Sequence, residues 1–149
     1  MNFFELLDQQ YKQALKTKDA IRLSALRLLK TAIRHKETEV RRKLEEKEAL
    51  VVVMSQVKQR RDSMEQFKNG GRDDLAQREE AELAVLEAYL PRQLNQTELE
   101  AAISGLISEL EAKSVKDMGR VMKEFMGRYA GQVDGKLAGE LVKKQLSGA

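Results

Sequence analysis

Basic side chains recur at helical spacing in the first third of the 149-residue sequence. Eight lysines and arginines but only one acidic residue, Asp19, lie between Lys12 and Lys36. At about 100° per residue, one side of a helix in this region carries a basic stripe: Arg27, Lys30, Arg34 and Arg41. Guanidinium and ammonium groups bind phosphate through charge-assisted hydrogen bonds, so this stripe is a candidate contact for a phosphate chain. The alternative is a solvated helix face whose cations pair with acids of a neighbouring helix.

A second basic pattern lies near the carboxy terminus. One helical face over residues 118–129 is apolar, and the opposite face is basic. The last predicted helix repeats the pattern with lysines along one outer edge. Cations spaced by helical turns, with glycines between them, suit the phosphate chain of a nucleic acid. The candidate RNA contacts in this region are Lys116, Arg120, Lys123, Arg128, Lys136 and Lys143.

Four charged residues interrupt apolar stripes on two predicted helices that are joined by a glycine turn at residues 70–71. Counting back from this turn places Arg60 and Arg61 opposite Glu79 and Glu82. Since an unpaired charge is costly to bury, we expect these four groups to form ion pairs across a helical hairpin. The alternative is an acid–base or two-carboxylate site.

Several kinds of chemistry lack the residues they need. The sequence has no cysteine and one histidine, His35, and it contains no P-loop, dinucleotide-binding or nucleophile-elbow motif. We therefore predict no catalytic residue, no metal site and no cofactor. No apolar run approaches the ~20 residues of a membrane span, and residues 1–5 do not resemble a secretory leader. These features favour a cytoplasmic protein without a membrane partner.

Helix-forming residues dominate the sequence, which has a single proline. Capping patterns begin at Asn2, Asp19, Thr97, Ser114 and Asp134. The sequence predicts an all-α protein with an amino-terminal hairpin or bundle of long helices (residues 1–95) and a small three-helix domain (96–149). The predicted helices cover approximately residues 2–16, 20–42, 46–68, 73–90, 97–111, 114–129 and 135–146.

Ordered motifs along the chain resemble the YqeY family of small bacterial proteins. They occur at residues 56–63 (QVKQRRDS), 71–75 (GRDDL), 79–83 (EEAEL), 89–94 (YLPRQL), 116–122 (KDMGRVM) and 134–136 (DGK). The resemblance implies an all-helical protein. It also implies that the carboxy-terminal part is similar to the tail domain of the B subunit of the tRNA-dependent aspartyl/glutamyl amidotransferase. In that enzyme the tail helps to engage tRNA, while amide transfer belongs to other domains and subunits.

The resemblance carries a family label of carbon–nitrogen ligase activity with glutamine as amido donor. The sequence has no counterpart of the amidase or of the kinase-like nucleotide and metal site. We therefore expect a tRNA-binding accessory protein whose partners are tRNA and either the amidotransferase or another protein. The alternatives are a helical protein–protein adaptor without RNA binding and, ranked last, an amidotransferase-related enzyme.

Overall fold

The described chain is built from helices alone. A computed structural model describes residues 1–148, and these residues contain no strand. The all-α prediction is therefore confirmed. A single 3₁₀ turn, Val115–Asp117, precedes α6, and the α-helices are α1 (Phe3–Thr17), α2 (Ala20–Val40), α3 (Glu46–Asn69), α4 (Asp73–Glu87), α5 (Gln96–Glu109), α6 (Met118–Tyr129) and α7 (Gly135–Leu146).

Side-chain caps fix where most of these helices begin. The Asn2 side chain accepts a hydrogen bond from the Glu5 N–H at 2.9 Å, and Asp19 accepts one from the Arg22 N–H at 3.1 Å. Ser114 and Asp134 cap the 3₁₀ turn and α7. Each cap satisfies a backbone donor that has no partner within its helix. These four predicted caps are confirmed.

The predicted start of α5 and the predicted end of α4 are both wrong by a few residues. Asn95 caps α5 in place of Thr97, because its side chain accepts from the Glu98 N–H at 2.8 Å. Helix α4 ends at Glu87, three residues before the predicted end at Leu90. The Tyr89 and Leu90 N–H groups donate three residues back along the chain, which tightens the last turn, and the Tyr89 ring is buried against Phe3.

Residues Met1–Leu90 form the first of two compact units. Helices α3 and α4 pack along each other as a hairpin, joined by a turn in which Gly71 has φ 72°, a value that favours glycine. Helix α2 packs against α1, α3 and α4, and its buried Leu26 and Leu29 meet Val53 and Val57 of α3 in one core.

The second unit begins at Pro91 and contains α5, α6 and α7. Its core includes Ile103, Phe125 and Val142, none of which is exposed to solvent. The segment that leads into α5 is also bonded to this unit. The Gln93 side chain donates to the Gly131 carbonyl at 2.6 Å, and the Leu94 N–H donates to the Gln132 carbonyl at 2.9 Å. The two units therefore divide between Leu90 and Pro91, whereas the sequence placed the boundary near residue 95.

Candidate nucleic-acid interface

A buried charged cluster lies between α3 and α4. Arg60 Nη1 lies 3.3 Å from a carboxylate oxygen of Glu79, and its Nε lies 3.7 Å from one of Glu82. The side chains of Arg60 and Glu79 are each 15% exposed, and that of Glu82 is 4% exposed. Arg61, which lies about 100° further around α3, is exposed and instead pairs with Glu87 at 2.9 Å. The structure thus brings together three of the four expected residues, in an arrangement suited to joining the two helices.

Two members of the amino-terminal basic stripe are engaged by residues of α1. Lys30 Nζ lies 3.1 Å from a carboxylate oxygen of Asp8 and 4.6 Å from the centre of the Tyr11 ring. Arg27 Nε donates to the Tyr11 hydroxyl at 3.2 Å. The charge of Lys30 is therefore already balanced within the unit, and Arg27 is held by a neutral group.

The other two members of this stripe have no side-chain partner in the described residues. Arg34 is exposed and borders a cavity of about 460 Å³ whose lining also includes the oppositely charged Glu37 and Lys43. Arg41 has φ 59°, ends α2 in the left-handed conformation and is exposed. Within the stripe, Arg34 and Arg41 are therefore available to a ligand, whereas Lys30 is neutralised by Asp8.

The two arginines among the carboxy-terminal candidates are engaged by the protein itself. Arg128 forms a two-pronged pair with Glu109 at 2.8 and 2.9 Å and also contacts Glu124 at 3.1 Å. These carboxylates raise the pKa of Arg128, and Arg128 in turn lowers the pKa of Glu109. Arg120 donates to the Leu110 carbonyl at 2.8 Å and to Asp117 at 3.3 Å. Both side chains hold α6 to the end of α5 and the 3₁₀ turn.

The lysines among these candidates are exposed, and their side chains form no ion pair or hydrogen bond within residues 1–148. We refer to them as the lysine surface: Lys116, Lys123, Lys136 and Lys143. Lys113 has the same character and was missed by the sequence analysis. The signal that could have identified it is its position three residues before Lys116, in the loop that enters the 3₁₀ turn.

Helical geometry places three members of the lysine surface, Lys123, Lys136 and Lys143, along one side of the α6–α7 contact. A Cβ atom at Gly139 would lie 3.8 Å from Met118 Cε, and one at Gly135 would lie 3.7 Å from Met126 Cε, so these glycines face the methionines of α6. Lys136 and Lys143 lie roughly 40–60° further around α7, on the side away from the core. Lys123 lies at a similar angle on α6, about 60° beyond Met126. Cations of both helices therefore border the same outer surface.

Two further observations concern metal sites and membrane-spanning helices. Among residues 1–148, no group of three histidines, cysteines, aspartates or glutamates is placed to hold a metal ion. Across the same residues, no helix combines the length and the apolar character that crossing a membrane requires. The features described so far define a class of small all-helical proteins with two helical units and an exposed basic surface.

The chain belongs to the YqeY family, described as Yqey-like protein, whose family model matches residues 4–146. Its relatives include proteins named "Altered inheritance of mitochondria protein 41, mitochondrial". The one from Lachancea thermotolerans is 33% identical over 108 residues, covering 70% of this chain and 58% of the relative. The one from Eremothecium gossypii is 38% identical over 85 residues, covering 56% of this chain and 46% of the relative. The one from Saccharomyces cerevisiae is 29% identical over 125 residues, covering 82% of this chain and 67% of the relative.

These relatives contradict two predictions from the sequence. The protein was expected to be bacterial and cytoplasmic, whereas the relatives are yeast proteins named as mitochondrial. The chain also spans only about half of the length of the first two relatives. Charge and hydropathy identify a membrane span or a secretory leader, but they do not distinguish one aqueous compartment from another.

Proposed function

We propose that this protein is a tRNA-binding accessory protein that contacts RNA through the lysine surface. The observation that carries the proposal is that Lys116, Lys123, Lys136 and Lys143 are exposed and have no carboxylate partner in the described chain. Lysines free of internal ion pairs can neutralise phosphates and so release the cations condensed on a nucleic acid, and this release drives sequence-independent binding. Membership of the YqeY family supports the proposal, because the resemblance to this family implies that the second unit is similar to a tRNA-engaging tail domain.

The two engaged arginines have a positioning role in this proposal. Arg120 and Arg128 hold α6 against neighbouring segments through carbonyl and carboxylate acceptors. Their bonds fix the helix from which Lys123 projects, while the lysines themselves contact the phosphates. The protein partner would be the tRNA amidotransferase or another protein that acts on the same tRNA. Because the relatives are named as mitochondrial, mitochondrial tRNA belongs among the RNAs to be tested.

The test is the affinity of the full chain for tRNA, measured by fluorescence anisotropy between 50 and 200 mM salt. With about 0.9 counterion released per phosphate, four lysine contacts give a log–log slope of about −3.6. Replacing Lys123 with Gln should reduce the magnitude of this slope by about 1. The quadruple Lys→Gln variant of the lysine surface should lose at least about tenfold in affinity.

A matched control removes four exposed lysines from the first unit: Lys12, Lys16, Lys18 and Lys47. Each is replaced by Gln, so the net charge changes by the same amount. The control should retain most of the affinity and the slope. Absence of binding at 50 mM salt, or equal losses in the two quadruple variants, would contradict the proposal. The first of these results would favour the adaptor without RNA binding.

A further inference from the structure

Two adjoining clefts follow the outer face of α2 in the first unit. One, of about 470 Å³, lies between α2 and Arg78 of α4, and the other, of about 550 Å³, lies between α2 and α3. Leu28 lines both clefts, and we call the two clefts together the α2 groove. Along α2 the groove runs from Ala20 to Lys36. At 1.5 Å per residue this is about 24 Å, the length of a helix of about 16 residues.

The exposed apolar side chains of the α2 groove are aliphatic, and uncharged polar side chains lie among them. Leu28 is 43% exposed and Val51 is 42% exposed, and the two side chains line the same cleft. Leu23, Ala32 and Val52 continue the apolar lining and are half-buried or exposed. Single exposed apolar residues are ordinary on protein surfaces, but a contiguous apolar strip with a polar rim is typical of an interaction site.

The ionisable residues that line the α2 groove are all of the basic type: Arg27, His35, Lys36, Arg60 and Arg78. Arg60 is committed to the buried cluster with Glu79 and Glu82. Arg78 has no side-chain partner in the described residues, and Arg27 bonds only to a tyrosine hydroxyl. Lys36 has a loose, exposed contact with Glu39 at 3.7 Å, the kind of pair that contributes little. Cations are therefore available along the length of the groove.

We propose that the α2 groove is the docking site for an acidic amphipathic helix of a partner protein. A helix of this kind would lay its apolar residues, spaced i, i+3, i+4 and i+7, onto Leu28 and Val51. Acidic residues along its flanks would pair with Arg27, Lys36 and Arg78, giving the charge complementarity that sets specificity and association rate. The groove lies in the first unit and binds a protein, so this site goes beyond the proposed RNA contact of the second unit.

The chemistry of the floor favours a protein helix over RNA. Single-stranded RNA is held by stacking of its bases on aromatic rings or guanidinium planes. Among the described residues, the lining of the α2 groove has no Phe, Tyr or Trp, and Arg60 is committed to the buried cluster, so Arg27 and Arg78 alone offer free guanidinium planes beside the exposed Leu28 and Val51. Aliphatic side chains provide apolar area for a helix face but no stacking platform.

The experiment titrates the ¹⁵N-labelled full chain with a synthetic 18-residue helical peptide that has leucines on one face and glutamates on both flanks. Two control peptides share its length: one carries lysines in place of the glutamates, and the other carries serines in place of the leucines. We expect the acidic amphipathic peptide to bind at least tenfold more tightly than either control. Its chemical-shift changes should centre on the groove, at Ser24, Thr31, Ser55 and Gln59.

Matched variants distinguish binding in the α2 groove from non-specific electrostatic or hydrophobic binding elsewhere on the surface. Leu28→Asp and Arg78→Glu should each weaken binding at least tenfold. Leu15→Asp and Lys16→Glu should change it less than twofold, because Leu15 is 46% exposed on α1 and neither residue lines the groove. Thermal melting checks that each variant is folded. If Leu28→Asp does not fold, Thr31→Glu takes its place and should also weaken binding, because Thr31 is exposed and lines the same cleft.

Four results would overturn the proposal. The lysine peptide could bind as tightly as the glutamate peptide, or the shifts could map outside the α2 groove. Single-stranded RNA could perturb the same residues more strongly than the acidic peptide, which would assign the groove to nucleic acid. Raising the concentration of the unliganded chain could produce the same chemical-shift changes, which would assign the groove to a second copy of this chain.

Discussion

At the scale of single residues, a cation is available to a ligand only where no acceptor of the same molecule already holds it. Arg128 and Lys123 both lie on α6, yet Arg128 is held by Glu109 and Glu124 while the Lys123 side chain has no partner in residues 1–148. The two are therefore expected to respond differently to mutation. Replacing Arg128 disturbs the packing of α6 against α5, and replacing Lys123 changes the surface charge alone.

The buried position of Glu82 leads to a prediction about Arg60. Removing this arginine by Arg60→Ala leaves the Glu82 side chain, which is 4% exposed, without its compensating charge, and we expect a loss of about 3–5 kcal/mol in the free energy of unfolding. Urea denaturation measures this loss. The neighbouring change Arg61→Ala breaks only the exposed pair with Glu87 and should cost less than about 1 kcal/mol. Equal costs for the two variants would show that the buried cluster does not join α3 to α4.

A second residue-scale prediction concerns acid stability. The Arg92 side chain and the Asn95 N–H bond to Glu98 and lower its pKa from an ordinary value of 4.5 to about 2. Since the folded-state pKa is depressed, the stabilisation is complete above pH 4.5 and is lost as the pH falls towards 2. Urea denaturation at several pH values, followed on the methyl signals of Ile103, should show this decline.

Substitution identifies the group responsible for that decline. In Glu98→Gln the stability of the second unit should be lower at pH 7 and should vary less between pH 4.5 and 2. In Glu140→Gln, which changes an exposed carboxylate of α7 in the same unit, the pH profile should match that of the unmodified protein. A profile unchanged by Glu98→Gln would contradict the assignment.

At the scale of helices, three non-glycine residues among residues 1–148 have the left-handed conformation that normally favours glycine. Lys18 has φ 55°, Arg41 has φ 59° and Glu111 has φ 54°. Lys18 and Arg41 end α1 and α2, and each donates its N–H back into its helix, to the carbonyls of Ala14 and Glu37. The backbone bonds thus determine these helix ends in spite of the conformational cost at each position.

A glycine at one of these helix ends should stabilise the protein. Lys18→Gly relieves a left-handed strain of roughly 1–2 kcal/mol but costs roughly 0.5–1 kcal/mol through the greater entropy of the unfolded chain, so we expect a net gain of up to about 1.5 kcal/mol. Thermal melting measures the gain. Lys16→Gly, placed inside the last turn of α1, should instead lower stability by about 1 kcal/mol. A loss in both variants would show that the Lys18 side chain contributes more than its backbone conformation costs.

Most of the helices could be predicted from local sequence rules, because the residues that start and end each helix lie close together in the chain. The caps at Asn2, Asp19, Ser114 and Asp134 depend on residues within one turn. The start of α5 was missed because Asn95–Glu98 and Thr97–Glu100 satisfy the same spacing rule. The choice between them depends on contacts of Arg92 and Gln93 with residues further along the chain. Similarly, the early end of α4 depends on the packing of Tyr89 against Phe3, which no local pattern reveals.

At the scale of the whole molecule, the described part of the chain has two separate hydrophobic cores, one in each unit. The division lies between Leu90 and Pro91, and residues 92–94 form bonds within the second unit. The candidate sites follow the same division, since the lysine surface belongs to the second unit and the α2 groove to the first. The proposed contacts with RNA and with an acidic helix are therefore expected to be separable by mutation.

The role of the segment before α5 can be tested by dissection. We expect a fragment of residues 91–149 to fold as a helical unit, because its core residues lie within it. A fragment of residues 96–149 lacks the Asn95 cap and the bonds of Arg92, Gln93 and Leu94, so its melting temperature should be clearly lower. Circular dichroism melts of the two fragments provide the comparison. Equal melting temperatures would show that this segment contributes nothing to the second unit.

The sequence predicted the basic residues but not which of them remain available. Arg27, Lys30, Arg34 and Arg41 share one helical face, yet the acid that neutralises Lys30 is Asp8 of α1. Likewise, Arg128 is neutralised by Glu109, nineteen residues earlier in the chain. Whether a basic side chain is free to bind a ligand therefore depends on its tertiary ion pairs, and the spacing of residues within one helix does not reveal these pairs. The α2 groove was missed for the same reason, since its walls come from three helices.

The buried cluster between α3 and α4 also determines the register of the hairpin. Two helices whose facing residues are all aliphatic can slide past one another by a turn, about 5.4 Å, and still bury similar area. Here such a slide would carry Glu82 away from Arg60 and leave a buried carboxylate among apolar side chains. The ion pair thus selects one alignment of the hairpin from several that would otherwise have similar energies.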